Sequence, residues 1–148
     1  MRFPPPLVYA FAVIAGIVLH SFAVPVELGL ALAVRIGAAA VSGAGGLALL
    51  VAAAELFKRS GQDPRPWKAT PEIISSGIYG VTRNPMYVSM GLLQLSVGIA
   101  LDNGWILAFL PVVLGIVYVI AIRHEESYLE AKFGEAYQSY KSSVRRWI

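Results

Sequence analysis

The stretch from Met86 to Ile122 is apolar except at Asp102-Asn103-Gly104, and it is too long for one passage through a bilayer. A break at that polar tripeptide divides it into two helices joined by a tight turn. Apolar runs also extend from Leu7 to Val26 and from Ile36 to Phe57, the second with one late charge, Glu55. With 57% hydrophobic and 14% charged residues in a chain of 148, there is too little polar surface to coat a soluble fold, so lipid is the expected solvent. The sequence predicts an all-α integral membrane protein: four transmembrane helices, a cytoplasmic loop and an amphipathic C-terminal helix. It is expected to form one domain over 1–148, opening with a two-span hairpin over 1–57. The third span is the shortest, since Met86 to Leu101 gives 16 residues where a perpendicular crossing takes about 20.

Charge orients the bundle. Lys58, Arg59, Arg65, Lys68 and Arg83 lie between spans two and three, and Arg123, Lys132, Lys141, Arg145 and Arg146 follow span four. The other two connections carry only Glu27 with Arg35, and Asp102. An excess of Lys and Arg marks the cytoplasmic side, so both termini, the long central segment and the polar motifs are expected there. The first span lacks a clear cleavage site and is expected to be retained. The net charge of +3 is spread over membrane-flanking segments with no nucleic-acid module, which points to membrane lipid headgroups and away from nucleic acid. Cysteine is absent, which excludes disulfides, thiolate catalysis and cysteine-ligated metal. His20 and His124 are too few and too far apart for a zinc site, so no metal is expected, and His20 is read as a hydrogen-bonding group within the bundle.

Ala38 to Gly46 in span two is rich in small residues, suited to close helix packing inside the bundle or, alternatively, to a homodimer seam. From Lys58 to Thr82 the chain turns polar, and Gly61, Pro64, Pro66, Pro71 and Gly77 argue for a long loop, with Trp67 at the membrane interface or, alternatively, against a ligand. Beyond span four, Ile122, Glu126, Leu129, Phe133, Tyr137, Tyr140 and Val144 recur every three or four residues, the period of one helix face, with Gly134 able to bend it.

Two polar clusters meet at one end of this hairpin. Arg83-Asn84-Pro85-Met86-Tyr87 opens span three, where proline suits the first turn and Asn84 can cap the helix or contact a ligand. Arg123-His124-Glu125-Glu126 closes span four and is returned to the same end by the short turn. A carboxylate there could accept hydrogen bonds from a ribose or attract a cationic cofactor, and Arg123 could orient an anionic acceptor. Glu126 is the candidate general base for an amine or hydroxyl acceptor; a carboxylate acceptor needs none. Such a set suits methyl transfer from S-adenosyl-L-methionine, for which the protein mainly aligns the reactants and removes water.

The C-terminal half, about 71–148, resembles the isoprenylcysteine carboxyl methyltransferase family, in particular its small bacterial members. The resemblance rests on Ser76-Gly77-Ile78-Tyr79, Arg83-Asn84-Pro85-Met86-Tyr87, Glu125-Glu126-Ser127-Tyr128-Leu129, Phe133-Gly134-Glu135-Ala136-Tyr137, Tyr140 and Val144-Arg145-Arg146-Trp147, in that order. It implies a bacterial inner-membrane enzyme with a cytoplasmic S-adenosyl-L-methionine pocket closed by the C-terminal helix. Carried over by motif, Pro71, Glu72, Ile73, Ile74, Tyr79, Asn84, Pro85, Met86, Tyr87 and Glu125 would line the cofactor, and a lipophilic acceptor would arrive from the bilayer. Two positions depart from the family: many members carry histidine at Asn84, and the eukaryotic enzymes carry a carboxylate-binding arginine where this chain has Ala121. Competing expectations are a nicotinamide-dependent membrane reductase, which would need Arg65 and Lys68 for phosphate, and a non-enzymatic accessory protein.

Overall fold

The structure is a computed structural model that describes residues 4–61 and 72–148. Its elements are α1 (Pro5–Phe22), α2 (Leu32–Arg59), a 3-10 turn (Gly77–Gly80), α3 (Pro85–Ala100), α4 (Gly104–Val117), a π turn (Tyr118–Ile122), α5 (Arg123–Phe133) and α6 (Glu135–Ser143). α4, the π turn and α5 run on as one helix from Gly104 to Phe133. Pro71 and Trp67, and the Arg65 and Lys68 required by the reductase reading, lie outside the described residues.

Among the described residues three helices are long and apolar enough to cross a membrane: Pro5–Phe22, Leu32–Arg59 and Gly104–Phe133. The expectation of four transmembrane helices is corrected at α3. Proline at its first position and the turn after Ala100, where Asp102 takes a positive φ of 54°, hold it to 16 residues. At about 1.5 Å per residue that is about 24 Å, short of a hydrocarbon core of about 30 Å. α3 is an interior helix. It packs against α2, α4 and α1, and buries Pro85, Tyr87, Ser89, Gly91, Gln94 and Gly98. Two buried polar side chains donate within the bundle: Ser89 Oγ to the Met86 carbonyl at 2.6 Å and Gln94 Nε2 to the Ile106 carbonyl at 2.9 Å. The long helices instead turn large apolar side chains outward, among them Phe11, Ile14, Val41, Leu47 and Val112.

The small residues of α2 are used against α3. Ala39, Gly46 and Ala53 are its buried positions, seven residues apart and so on one face, and Ser96 Oγ donates to the Ala39 carbonyl at 2.7 Å. A Cβ at Gly46 would stand 3.0 Å from the Ser89 carbonyl oxygen and 3.1 Å from Leu92 Cβ. We therefore expect Gly46→Val to push α2 off α3 and cost about 1–3 kcal/mol, seen as a lower unfolding temperature, whereas Gly45→Val, in open space, should leave it unchanged.

The turn between α3 and α4 ties down the opposite end. Asn103 caps α4, its Oδ1 accepting from the Trp105 and Ile106 amides, while its Nδ2 donates to the Gly16 carbonyl of α1 at 3.0 Å. Asp102 accepts from the Leu28 amide at 2.9 Å and from Arg35 at 2.7 Å. His20 makes a local bond, its Nδ1 accepting from the Val26 amide at 3.3 Å in an exposed position.

The expected C-terminal helix is two helices. Gly134, at φ 50°, ends α5 and starts α6, in a region of backbone space that a side chain rarely allows. α6 doubles back far enough for Lys141 and Gln138 to reach Glu130 at 3.4 and 3.5 Å. The periodic stripe survives the bend, with Ile122, Tyr137 and Val144 buried.

Candidate active site

The start of α3 and the start of α5 are joined side chain to side chain. Tyr87, two residues into α3, is buried and donates its hydroxyl to Glu125 Oε1 at 2.7 Å, bridging 38 residues of sequence. The charge on this acceptor makes it one of the stronger hydrogen bonds in the bundle. Tyr87 is fixed in turn, because Tyr9 of α1 donates its hydroxyl to the Tyr87 carbonyl at 2.9 Å. Both tyrosines belong to one apolar cluster with Val8, Val113, Val117, Ala121 and Ile122, against which Trp147 packs. The π turn at Tyr118–Ile122 widens the helix immediately before Arg123 and shifts the register of α5.

Tyr79 sits on the 3-10 turn, buried and edge-on to Phe57 at the end of α2, with ring centroids 5.6 Å apart. Its carbonyl accepts the Tyr140 hydroxyl at 2.7 Å, which pins α6. Burial raises the Tyr79 phenol above its usual range, and the charges of Tyr140 and Glu125 add to this. Burial likewise pushes the Tyr140 hydroxyl up to about 12, with Tyr137 adding and Arg83 opposing. The folded state thus favours the neutral phenol. Its contribution is complete below the ordinary value of 10.0 and is lost as pH rises from there through about 12. The hold of α6 on the 3-10 turn should be constant through neutral pH and loosen only across that alkaline window. Hydrogen exchange of residues 135–143 would record this, and Tyr140→Phe should reduce the pH-dependence, leaving what buried Tyr79 and Tyr137 contribute.

Asn84 does not cap α3 with its side chain. Its Nδ2 donates at 3.0 Å to the carbonyl of Arg146, which also accepts from Thr82 Oγ1 at 3.2 Å. The Arg83 amide donates to the Arg145 carbonyl at 3.0 Å, and Thr82 and Arg145 form a short parallel bridge. The C-terminal residues 144–147 are therefore a strap along 82–84. Glu126 clamps it: Oε1 accepts from Arg146 Nε at 2.9 Å and Oε2 from Arg146 Nη2 at 3.0 Å. This pair pushes the Arg146 guanidinium further up, partly offset by burial. Arg146 also lies over the Tyr118 ring, 4.9 Å from its centroid, and Arg83 Nη1 comes within 3.4 Å of Glu126 Oε1.

The two residues expected to be catalytic have unlike surroundings. Glu126 is nearly buried with both oxygens on Arg146, whereas Arg123 is exposed at the start of α5. Of the expected cofactor residues, the structure gathers Tyr79, Asn84, Pro85, Met86, Tyr87 and Glu125 at one end of the bundle. Exposed Glu72 and half-buried Ile73 and Ile74 lead into the 3-10 turn. Sequence reasoning missed Tyr9, Thr82 and the Glu126 to Arg146 clamp. Arg146 stood as a topogenic charge and as part of the closing motif of the resemblance, and nothing local in the sequence pairs it with a residue 20 positions earlier.

A sequence model of the phospholipid methyltransferase family matches residues 64–136, a span that ends beyond both glutamates and holds the whole α3–α5 hairpin. An uncharacterized protein of Haemophilus influenzae is 43% identical to this chain over 65 residues, covering 43% of the chain and the whole of that relative. The matched part of the chain is similar to a phospholipid methyltransferase-like family of small membrane-associated methyltransferases. The matched residues supply the Tyr87 to Glu125 contact, while the strap and Tyr9 come from outside the matched span.

Proposed function

We propose that this protein transfers a methyl group from S-adenosyl-L-methionine to a small lipophilic or amphiphilic acceptor at one face of the membrane. The observation that carries the reading is the Tyr87 to Glu125 hydrogen bond, a half-buried carboxylate oriented by a buried phenol at the end of the bundle where the family motifs converge. These residues fit the cofactor: an oriented carboxylate suits ribose hydroxyls or an ammonium group. S-adenosyl-L-methionine, when bound, supplies a methyl group already activated on a sulfonium. Glu125 holds the cofactor, with Asn84, Pro85, Met86 and Tyr87 as the neighbouring wall and Tyr79, Ile73, Ile74 and Glu72 on the approach through the 3-10 turn. Pro71, adjacent in sequence, belongs to the same set.

Glu126 acts as a positioning residue in this reading. With both oxygens engaged by Arg146 it is poorly placed to take a proton, and its work is to keep the strap over Asn84 and exclude water. An acceptor that needs no general base, a carboxylate or an already deprotonated amine, suits such a site best. The outward apolar faces of α1, α2 and α4 make the bilayer the natural route for that acceptor. Prenylcysteine is not favoured, since Ala121 stands where the resembling enzymes have their carboxylate-binding arginine. The test is incubation of the protein in lipid nanodiscs with isotope-labelled S-adenosyl-L-methionine and total membrane lipid extract. We expect label in the organic phase, reduced at least tenfold in Glu125→Gln. Label confined to the aqueous phase at all protein concentrations would overturn the lipophilic-acceptor reading.

A further inference from the structure

Arg83 stands in the same motif as Asn84 and Tyr87, yet neither the family resemblance nor the reading above gives its side chain a task. That side chain is only 8% exposed. Its closest anion is Glu126, 3.4 Å from Nη1, whose oxygens each already accept from Arg146; Arg83 makes an ion pair there without hydrogen-bond geometry, and the Tyr137 hydroxyl also faces its guanidinium. Among the described residues, Arg83 Nε and Nη1 are buried without an acceptor. Arginine carries its charge at any working pH, and its donors are rarely left bare in a folded interior. The exceptions call for an explanation such as a missing anion. The neighbourhood supports one: two guanidinium groups, Arg83 and Arg146, converge on a single carboxylate.

We propose that Arg83 is the binding group for an oxyanion carried on the amphiphilic acceptor, a carboxylate or a phosphate. Arg123, the arginine first expected in that role, is exposed and offers no comparable desolvated site. The guanidinium donates from its unfilled N–H groups to the anion, while Glu126 keeps Arg146 and the strap in place. The strap beside Arg83 is also the part of the site able to yield, because Arg146, which holds it to Glu126, is 34% exposed. The acceptor headgroup is thereby anchored on the α3 side, one residue from Asn84. This assignment rests on the methyl-transfer reading for its functional meaning, and its binding chemistry can be tested separately.

The experiment measures Trp emission of the full chain in neutral-lipid nanodiscs titrated with dodecyl phosphate, dodecanoate and inorganic phosphate, and in parallel with S-adenosylhomocysteine. Saturable binding of dodecyl phosphate or dodecanoate is expected, at least tenfold weaker in Arg83→Gln and less weakened in Arg83→Lys, which keeps the charge but not the planar set of donors. Arg123→Gln should bind as the wild type does. S-adenosylhomocysteine affinity should change by less than threefold in Arg83→Lys, so that loss of that signal in the wild type would count against the methyltransferase reading alone. Equal affinity for both amphiphiles in wild type and Arg83→Lys and Arg83→Gln would overturn the proposal. So would inorganic phosphate binding as tightly as dodecyl phosphate, since the anion would then owe nothing to an amphiphile. If Arg83→Gln does not fold, the Arg83→Lys comparison decides.

Discussion

Glu125→Gln is expected to weaken S-adenosylhomocysteine binding by about 10- to 100-fold, and Tyr87→Phe by about tenfold, with the bundle still folded. A hydrogen bond to a charged group contributes about 1.5–3 kcal/mol, and each 1.4 kcal/mol is a factor of about ten in affinity. Glutamine keeps the shape of Glu125 and can still accept the Tyr87 hydroxyl, so what it removes is the charge presented to the ligand. Phenylalanine keeps the ring of Tyr87 in its apolar cluster and removes only the hydroxyl that orients Glu125. The anchor from Tyr9 is to the Tyr87 carbonyl and survives both changes. The pair thus separates binding from folding: unfolding temperatures should fall by a few degrees at most while affinity drops. If both variants bind as the wild type does, Glu125 is not a ligand group.

Glu126→Gln should have the largest effect on local order. It leaves Arg146 without its bidentate partner and Arg83 with no anion, and loss of one member of a buried ion pair costs about 3–5 kcal/mol. Because Arg146 is 34% exposed, solvent screening lowers the expectation to about 2–3 kcal/mol. The strap's other polar ties are mainly its bonds to 82–84, so the change should appear as faster hydrogen exchange at 82–84 and 144–147 and as altered emission from Trp147, which packs on the apolar cluster. Arg146→Lys, keeping charge and losing the fork, should give an intermediate effect. The alternative role of Glu126 as general base predicts something else: slowed methyl transfer with the strap as well protected as before.

Most of the fold was legible because its signals are local. The apolar runs located the helices. Asp102-Asn103-Gly104 marked the turn that returns Glu125 to Tyr87, and Pro85 marked the first position of α3. What misled was treating α3 as lipid-facing. Hydropathy does not distinguish a helix surrounded by lipid from one surrounded by other helices, and the cues that do were small: Ser89 and Gln94 in the run, and a length of only 16 residues. The stripe from Ile122 to Val144 was visible, but the period is unchanged whether the chain runs straight through Gly134 or folds back there. Asn84 was expected to cap α3 or contact a ligand; its side chain does not cap, and its amide is given to the strap. Contacts carried by single polar atoms over long separations, Tyr9 to Tyr87 and Glu126 to Arg146, leave no periodic trace and required coordinates.

The most direct measurement is an equilibrium titration of the wild-type protein in lipid nanodiscs with S-adenosyl-L-methionine and S-adenosylhomocysteine, using a nicotinamide dinucleotide as the comparison ligand. Saturable micromolar binding of both sulfur compounds and none of the dinucleotide is the predicted result; a folded protein that binds neither sulfur compound, or binds the dinucleotide instead, would contradict the account.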